Sequence, residues 1–273
     1  MSFPPIDSST LASTGWGTLS RYRGESEAVR LDLDLRGLKA NVRDNYMTID
    51  FGLTEPIATS AWDVVKGVVR PLSQTLTLLT DSVVDFRIES IQRLEGDQMP
   101  LRRGKVGGVA TIYNLAELTE KLRKASEIVN TRDPALEKSL AYFHHATLLK
   151  NMAWPSVFDD REEDAVGSLL FGSEAFLNYW KAATAIVGDR TKGDDSAERT
   201  MRLGLSSDYY PSRIEPLRQL RNDYDVAHYD VELDRAKEVG ASLGRMIEVA
   251  KELLIAYSRY LQAGGTPFSP RNP

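Results

Sequence analysis

The spacing of the apolar residues is mixed in the first part of this chain and helical throughout the rest, and that change divides it. In "RLDLDLRGL" the leucines Leu31, Leu33 and Leu35 alternate with polar residues, a period of two that turns every second side chain toward a core. "YMTIDFGL" repeats the pattern with Met47, Ile49 and Phe51, and "VDFRIESI" with Val84, Phe86 and Ile88. Three strands are predicted on that basis. Between the second and third, "SAWDVVKGVVRPLSQTLTLLTD" carries Trp62, Val65, Val69, Leu72, Leu76 and Leu79 at steps of three and four, one face of a helix that Pro71 kinks or restarts. After "GKVGGVATIYN" the spacing is helical and stays so. The fold class read from this is an α+β N-terminal domain followed by an all-α four-helix bundle.

The helix boundaries come from capping residues. Asn114 with Glu117 reads as a capping box, opening a connecting helix over residues 113–133. Asp133-Pro134 starts the next helix, through "ALEKSLAYFHHATLLKNMA". The acids of "DDREED" open a third, apolar nearly all round (Leu169, Leu170, Phe171, Phe176, Leu177, Trp180) and so expected to be the most buried. "GDRTKGDDSAER" reads as a flexible connection, and Ser212 with Glu215 as the cap of the following helix. A long amphipathic helix closes the series. The resulting division is an irregular segment over 1–24, a small α+β domain over 25–112, the connecting helix, a helical domain over 134–262 and a disordered tail over 263–273.

Composition removes several function classes. The absence of cysteine excludes disulfides, thiolate metal sites and Cys nucleophiles, and fits a cytoplasmic protein. Three histidines, two of them adjacent, leave little for a zinc site, so no metal and no cofactor is expected. No leader sequence and no membrane-spanning run are read. The net charge of −5 argues against broad, non-specific nucleic-acid binding but leaves room for a small basic cleft. "LRRGKVGG", with Arg102, Arg103 and Lys105, lacks the spacing of a phosphate-binding nucleotide loop and reads as a solvated loop. His144 and His145, about 100° apart on a helix, read as one inward and one surface residue, and Tyr179 and Trp180 as core. Gly240 and Gly244 read as a place where helices pack closely.

The candidate chemistry lies in "IEPLRQLRNDYDVAHYD". Ile214, Leu217, Arg221, Tyr224 and His228 step by three and four, so on a continuous helix Arg221 and His228 face the same way about 10 Å apart along its axis. A guanidinium on an otherwise apolar stripe needs a partner: either Asp225, one turn on, or a bound phosphate. An arginine separated from a later histidine by four to six residues is expected by chance about 0.8 times in such a chain, and about 0.1 times when Asn, Asp or His must follow the arginine. Asn222 meets that condition.

With its place near the end of a capped helix ahead of a long final one, and with "SEAFLNYWKAATAIVGD" before it, the motif resembles that of HEPN domains, four-helix bundles of many RNA-cleaving toxins and defence proteins. The resemblance covers about residues 134–262; "ATAIV" holds no glutamate where several of those families carry one. "VVRPLSQTLTLLTDSVVDFRIESIQRL" more faintly resembles the N-terminal domain of ApeA-type phage-defence proteins. The resemblance implies a metal-independent endoribonuclease acting as a homodimer through the helical domain, with an RNA substrate and a trigger protein or antitoxin. It makes Arg221, Asn222 and His228 the catalytic set, with Arg213, Arg218, Tyr224 and Asp225 as RNA contacts. The alternatives are a non-catalytic module that binds RNA or protein, and a structural dimer.

Overall fold

The structure is a computed structural model that describes residues 30–43, 46–51, 62–86, 90–92, 98–100, 115–153, 162–188, 196–223 and 233–268. It is mostly helical, with a small antiparallel sheet near the N-terminus, and divides into two compact units between Asn130 and Thr131.

In the first unit, β1 (Arg30–Leu35), β2 (Leu38–Arg43) and β3 (Tyr46–Ile49) form a sheet in that order. Leu31, Leu33 and Leu35 are buried while Asp32 and Asp34 face water, as the alternation predicts. β2 was not among the predicted strands. Arg36 (φ 59°) and Gly37 (φ 83°) make a two-residue turn with positive φ at both positions, so Leu35 pairs with Leu38 and the chain folds straight back. The Arg36 guanidinium fixes this turn, donating to the carbonyls of Val129 at 3.0 Å and Gly67 at 2.7 Å. Asn130 accepts from the Arg36 amide and donates to the Asp34 carbonyl. The third predicted strand is met only at its end: Val84 to Phe86 is irregular, Ile88 lies outside the described residues, and Ser90 and Ile91 do lie in a strand. The Ser73 hydroxyl donates to the Val84 carbonyl and the Val84 amide to Thr77, so side chains of the preceding helix take bonds that a ladder would have used. A separate two-stranded pair, β4 (Ser90–Gln92) with β5 (Gln98–Pro100), follows.

Pro71 restarts the first helix rather than ending it. A π-turn over Val65–Val69 leads into α1 (Arg70–Thr80), where the missing proline amide falls in the first turn. Val64, Val68, Val69, Leu72 and Leu76 pack on the sheet, whereas Trp62 is 52% exposed, so the buried face is rotated from the one read off the spacing. α2 (Leu115–Asn130) belongs to the same core through Leu122, Ala125 and Val129; the helix expected as a connection is part of the first unit.

The second unit holds α3 (Pro134–Ala153), α4 (Glu162–Val187), α5 (Ser196–Arg202), α6 (Glu215–Asp223) and α7 (Leu233–Gln262). Asp133 caps α3 as expected, accepting the Leu136 amide at 2.8 Å. α4 lies between α3 and α7 and carries buried Phe176, Leu177, Tyr179, Trp180 and Ile186, although Phe171 is exposed. Tyr179 meets Phe143 edge to face at 5.0 Å and shares a hydrogen bond with Thr147. His144 is half-buried and His145 exposed.

Three further readings are corrected. The end of the "flexible connection" is helix α5, because Arg199 turns inward, donating to the Ile186 carbonyl at the end of α4. Gly240 and Gly244 are exposed with open space among the described residues where a side chain would stand, so no described helix packs closely on them. Residues 263–268, read as part of a disordered tail, turn back on α7 and bury Phe268 against Tyr257. The reason is aromatic: Tyr257, Tyr260 and Phe268 stack on one another, and the guanidiniums of Arg199 and Arg202 lie over Phe268.

Candidate functional site

The motif helix begins earlier than its sequence cap suggests. A π-turn over Tyr210–Ile214 precedes α6, so the helix is already running at Ser212. Ser212 therefore donates its hydroxyl back to the Asp208 carbonyl at 2.6 Å, and the predicted capping box is not formed. Glu215, its other half, is held by Arg218 through two bonds of 2.8 and 2.6 Å, with Gln219 at 3.3 Å. Ile214 and Leu217, each 1% exposed, anchor the segment in the core.

Two polar links fasten the start of the segment to α7. Tyr209 donates to Glu252 at 2.6 Å, and Arg213 lies 3.4 Å from Glu248 and 3.5 Å from Glu252. Burial, reinforced by the Glu252 carboxylate, pushes the Tyr209 phenol well above its ordinary range, while Arg213 pulls the other way. The phenol thus remains a donor across the neutral range. Nothing in the sequence pattern marked Tyr209, Glu248 or Glu252; their four-residue spacing on α7 signals only that the two acids share a face.

Arg221 and Asn222 stand in the last turn of α6. Arg221 continues the stripe of Ile214 and Leu217 to where burial fades; it is half-buried, and its Nη1 donates to Asn222 Oδ1 at 3.2 Å. A cation here also suits the negative end of the helix dipole. The structure therefore brings together Arg213, Arg218, Arg221 and Asn222 along one segment, with Arg213 and Arg218 engaged by carboxylates. Tyr224, Asp225 and His228 lie outside the described residues, as do Arg102, Arg103, Lys105 and Asn114.

Chemically, this segment offers a planar guanidinium that can meet two phosphate oxygens and a neighbouring amide that can orient it. No group of three or more His, Asp or Glu among the described residues is placed to hold a metal ion. No helix among them is long and apolar enough to cross a membrane. No family model, curated protein or solved structure matches the chain.

Proposed function

We propose that the helical unit is a HEPN-like bundle and that the protein is a metal-independent endoribonuclease, acting as a homodimer in a toxin or phage-defence setting in the cytoplasm. The observation that carries this reading is the Arg221–Asn222 pair, joined side chain to side chain at the end of a core-anchored helix that precedes the long α7. His228 follows Arg221 by seven positions in the sequence. In the reaction, a histidine removes the proton of a ribose 2′-hydroxyl as that oxygen attacks phosphorus. The 5′-oxygen of the next nucleotide leaves with a proton from the second histidine of the dimer, giving a 2′,3′-cyclic phosphate and a 5′-hydroxyl. Arg221 stabilises the charge that builds on the phosphate, and Asn222 orients it. The unit before residue 131, faintly similar to ApeA-type N-terminal domains, senses a trigger or restrains the nuclease; a chain lacking it that kept both its activity and its control would remove that role.

The test is to incubate wild type and His228→Ala with total cellular RNA in excess EDTA and determine the RNA ends. Discrete cuts with cyclic phosphate ends, absent from the variant, are expected. Equal cutting by both would place the activity elsewhere.

A second reading has its own support. Arg213 and Arg218 are matched by Glu248, Glu252 and Glu215, which lowers the positive charge the segment offers RNA. That favours a non-catalytic module binding RNA or a partner protein, for which Arg221→Ala alters binding while no cleavage is ever seen. A structural dimer is the remaining form, in which His228→Ala changes association alone.

A further inference from the structure

Several cations among the described residues are matched by a nearby acid: Lys121 by Glu117, Lys124 by Glu120, Arg213 by Glu248 and Glu252, Arg218 by Glu215. Lys138 and Lys181 are placed otherwise. They rise from two packed helices, α3 and α4, and converge on one ring: their ammonium nitrogens lie 6.0 and 5.9 Å from the centroid of Tyr142. Among the described residues, no carboxylate comes within ion-pair distance of either. Both lysines are exposed, Tyr142 is half-buried, and His145 is exposed one turn further along α3.

A tyrosine face attracts an ammonium only weakly in water, and two ammoniums brought to one ring repel each other. The arrangement is completed by an anion. It is also local, because the chain as a whole carries −5 and this cluster is not a by-product of a basic protein.

The chemistry of the cluster selects the partner. A polynucleotide alternates phosphates with flat bases, and the cluster sets ammoniums beside a flat ring. An acidic peptide would use the lysines and leave the ring without a role. A membrane surface requires large apolar side chains to enter it, and the exposed positions Lys138, Ala141, His145 and Lys181 supply none. A duplex keeps its base faces stacked inside, which leaves a single strand. We propose that Lys138, Tyr142 and Lys181 form a docking surface for single-stranded RNA, with the lysines on phosphates and Tyr142 stacked on a base between them. The choice of RNA rests on the nuclease reading; the surface itself uses none of the motif's side chains.

The experiment measures binding of a fluorescent oligoadenylate RNA to the full chain by anisotropy, in a salt series. His228→Ala serves as the background, so that cutting does not consume the probe. Lys138→Gln with Lys181→Gln is expected to lower the slope of log affinity against log salt by about 0.7 for each lysine. Tyr142→Ala weakens binding by about five- to a hundredfold, and Tyr142→Phe, which keeps the ring and guards against a folding artefact, binds as the parent does. The proposal is overturned if the double lysine variant keeps the parental slope, if Tyr142→Phe is as weak as Tyr142→Ala, if polyglutamate competes as well as RNA, or if the parent binds no RNA. Wild-type cleavage is scored separately. A chain that binds through this cluster without cutting keeps the surface and removes the nuclease reading. One that cuts while its affinity ignores these residues removes the surface alone.

Discussion

The corner around Tyr257 and the segment from Tyr209 to Asn222 both rest on α7, yet they are held in different ways. Tyr257 is fully buried; its hydroxyl accepts the Phe268 amide at 3.2 Å and hydrogen-bonds to Asp133, the cap of α3. One side chain thus ties together the end of α7, the returning tail and the start of α3. In the other region the apolar anchors Ile214 and Leu217 are as deeply buried and Tyr209 is buried at its link to Glu252, but the link made by Arg213 lies at the surface: Arg213 is 39% exposed and Glu248 67%. The difference separates stability from chemistry. The corner keeps the unit folded, while the end of α6 presents polar groups that can exchange partners without disturbing the core.

The comparison breaks most readily at its strongest point. Tyr257→Ala removes a fully buried ring together with its bridge between Asp133 and Phe268, and is expected to cost about 3–5 kcal/mol. Thermal or urea unfolding would show it; a loss below about 1 kcal/mol would mean the corner is not what holds the unit. Arg221→Ala should do the reverse. Its RNA cleavage is expected to fall by about 10²–10³ through loss of charge stabilisation, while its unfolding midpoint stays within the scatter of a surface change, about 0.5 kcal/mol. A large fall in stability with unchanged cleavage would place Arg221 among the structural residues.

How much of this the sequence revealed follows from the range of each interaction. Short-range signals were legible: the leucine alternation of β1, the Asp133-Pro134 start of α3 and the change from strand to helix spacing. β2 escaped because its turn places Arg36, not a usual turn residue, at positive φ, and that conformation is held by bonds to residues some thirty and ninety positions away. Val84 and Phe86 have the alternation of a strand, but Ser73 and Thr77 bond the Val84 backbone and Asp85 accepts the Phe86 amide, which the alternation does not reveal. "AGGTPF" has the composition of a loose tail, yet Phe268 packs it back on Tyr257. In the candidate site, Arg221 and Asn222 were legible from spacing, whereas the carboxylates on Arg213 come from 35 and 39 residues further on, beyond any helical periodicity.

High pH provides a smaller test that touches both regions. Burial pushes the phenols of Tyr257 and Tyr209 above their ordinary value of about 10. The folded chain therefore holds protons that the unfolded chain releases above that pH. The stability due to them is fully present below about pH 10 and is lost as pH rises beyond it. Urea midpoints should be level across the mildly alkaline range and then decline, with a shallower decline in Tyr257→Phe and in Tyr209→Phe. Parallel slopes in wild type and both variants would show that other groups control alkaline unfolding.

The smallest expected effect sharpens the contrast within the motif segment itself. Arg213 meets its two carboxylates at 3.4 and 3.5 Å with all three groups well exposed, a geometry that water and salt largely screen, so Arg213→Ala should change stability by less than about 0.5 kcal/mol. Arg218 is different: it grips Glu215 with two bonds, and both side chains are about one-fifth exposed. Arg218→Ala should cost more, up to about 1 kcal/mol, with the difference narrowing in high salt. The same pairing makes a claim about RNA. If Glu215 neutralises Arg218, then Glu215→Gln releases a cation and should tighten RNA binding and steepen its salt dependence, by up to about 0.7 in slope. An unchanged slope would mean that Arg218 never reaches the strand, and that on α6 only its final turn, Arg221 and Asn222, meets the RNA.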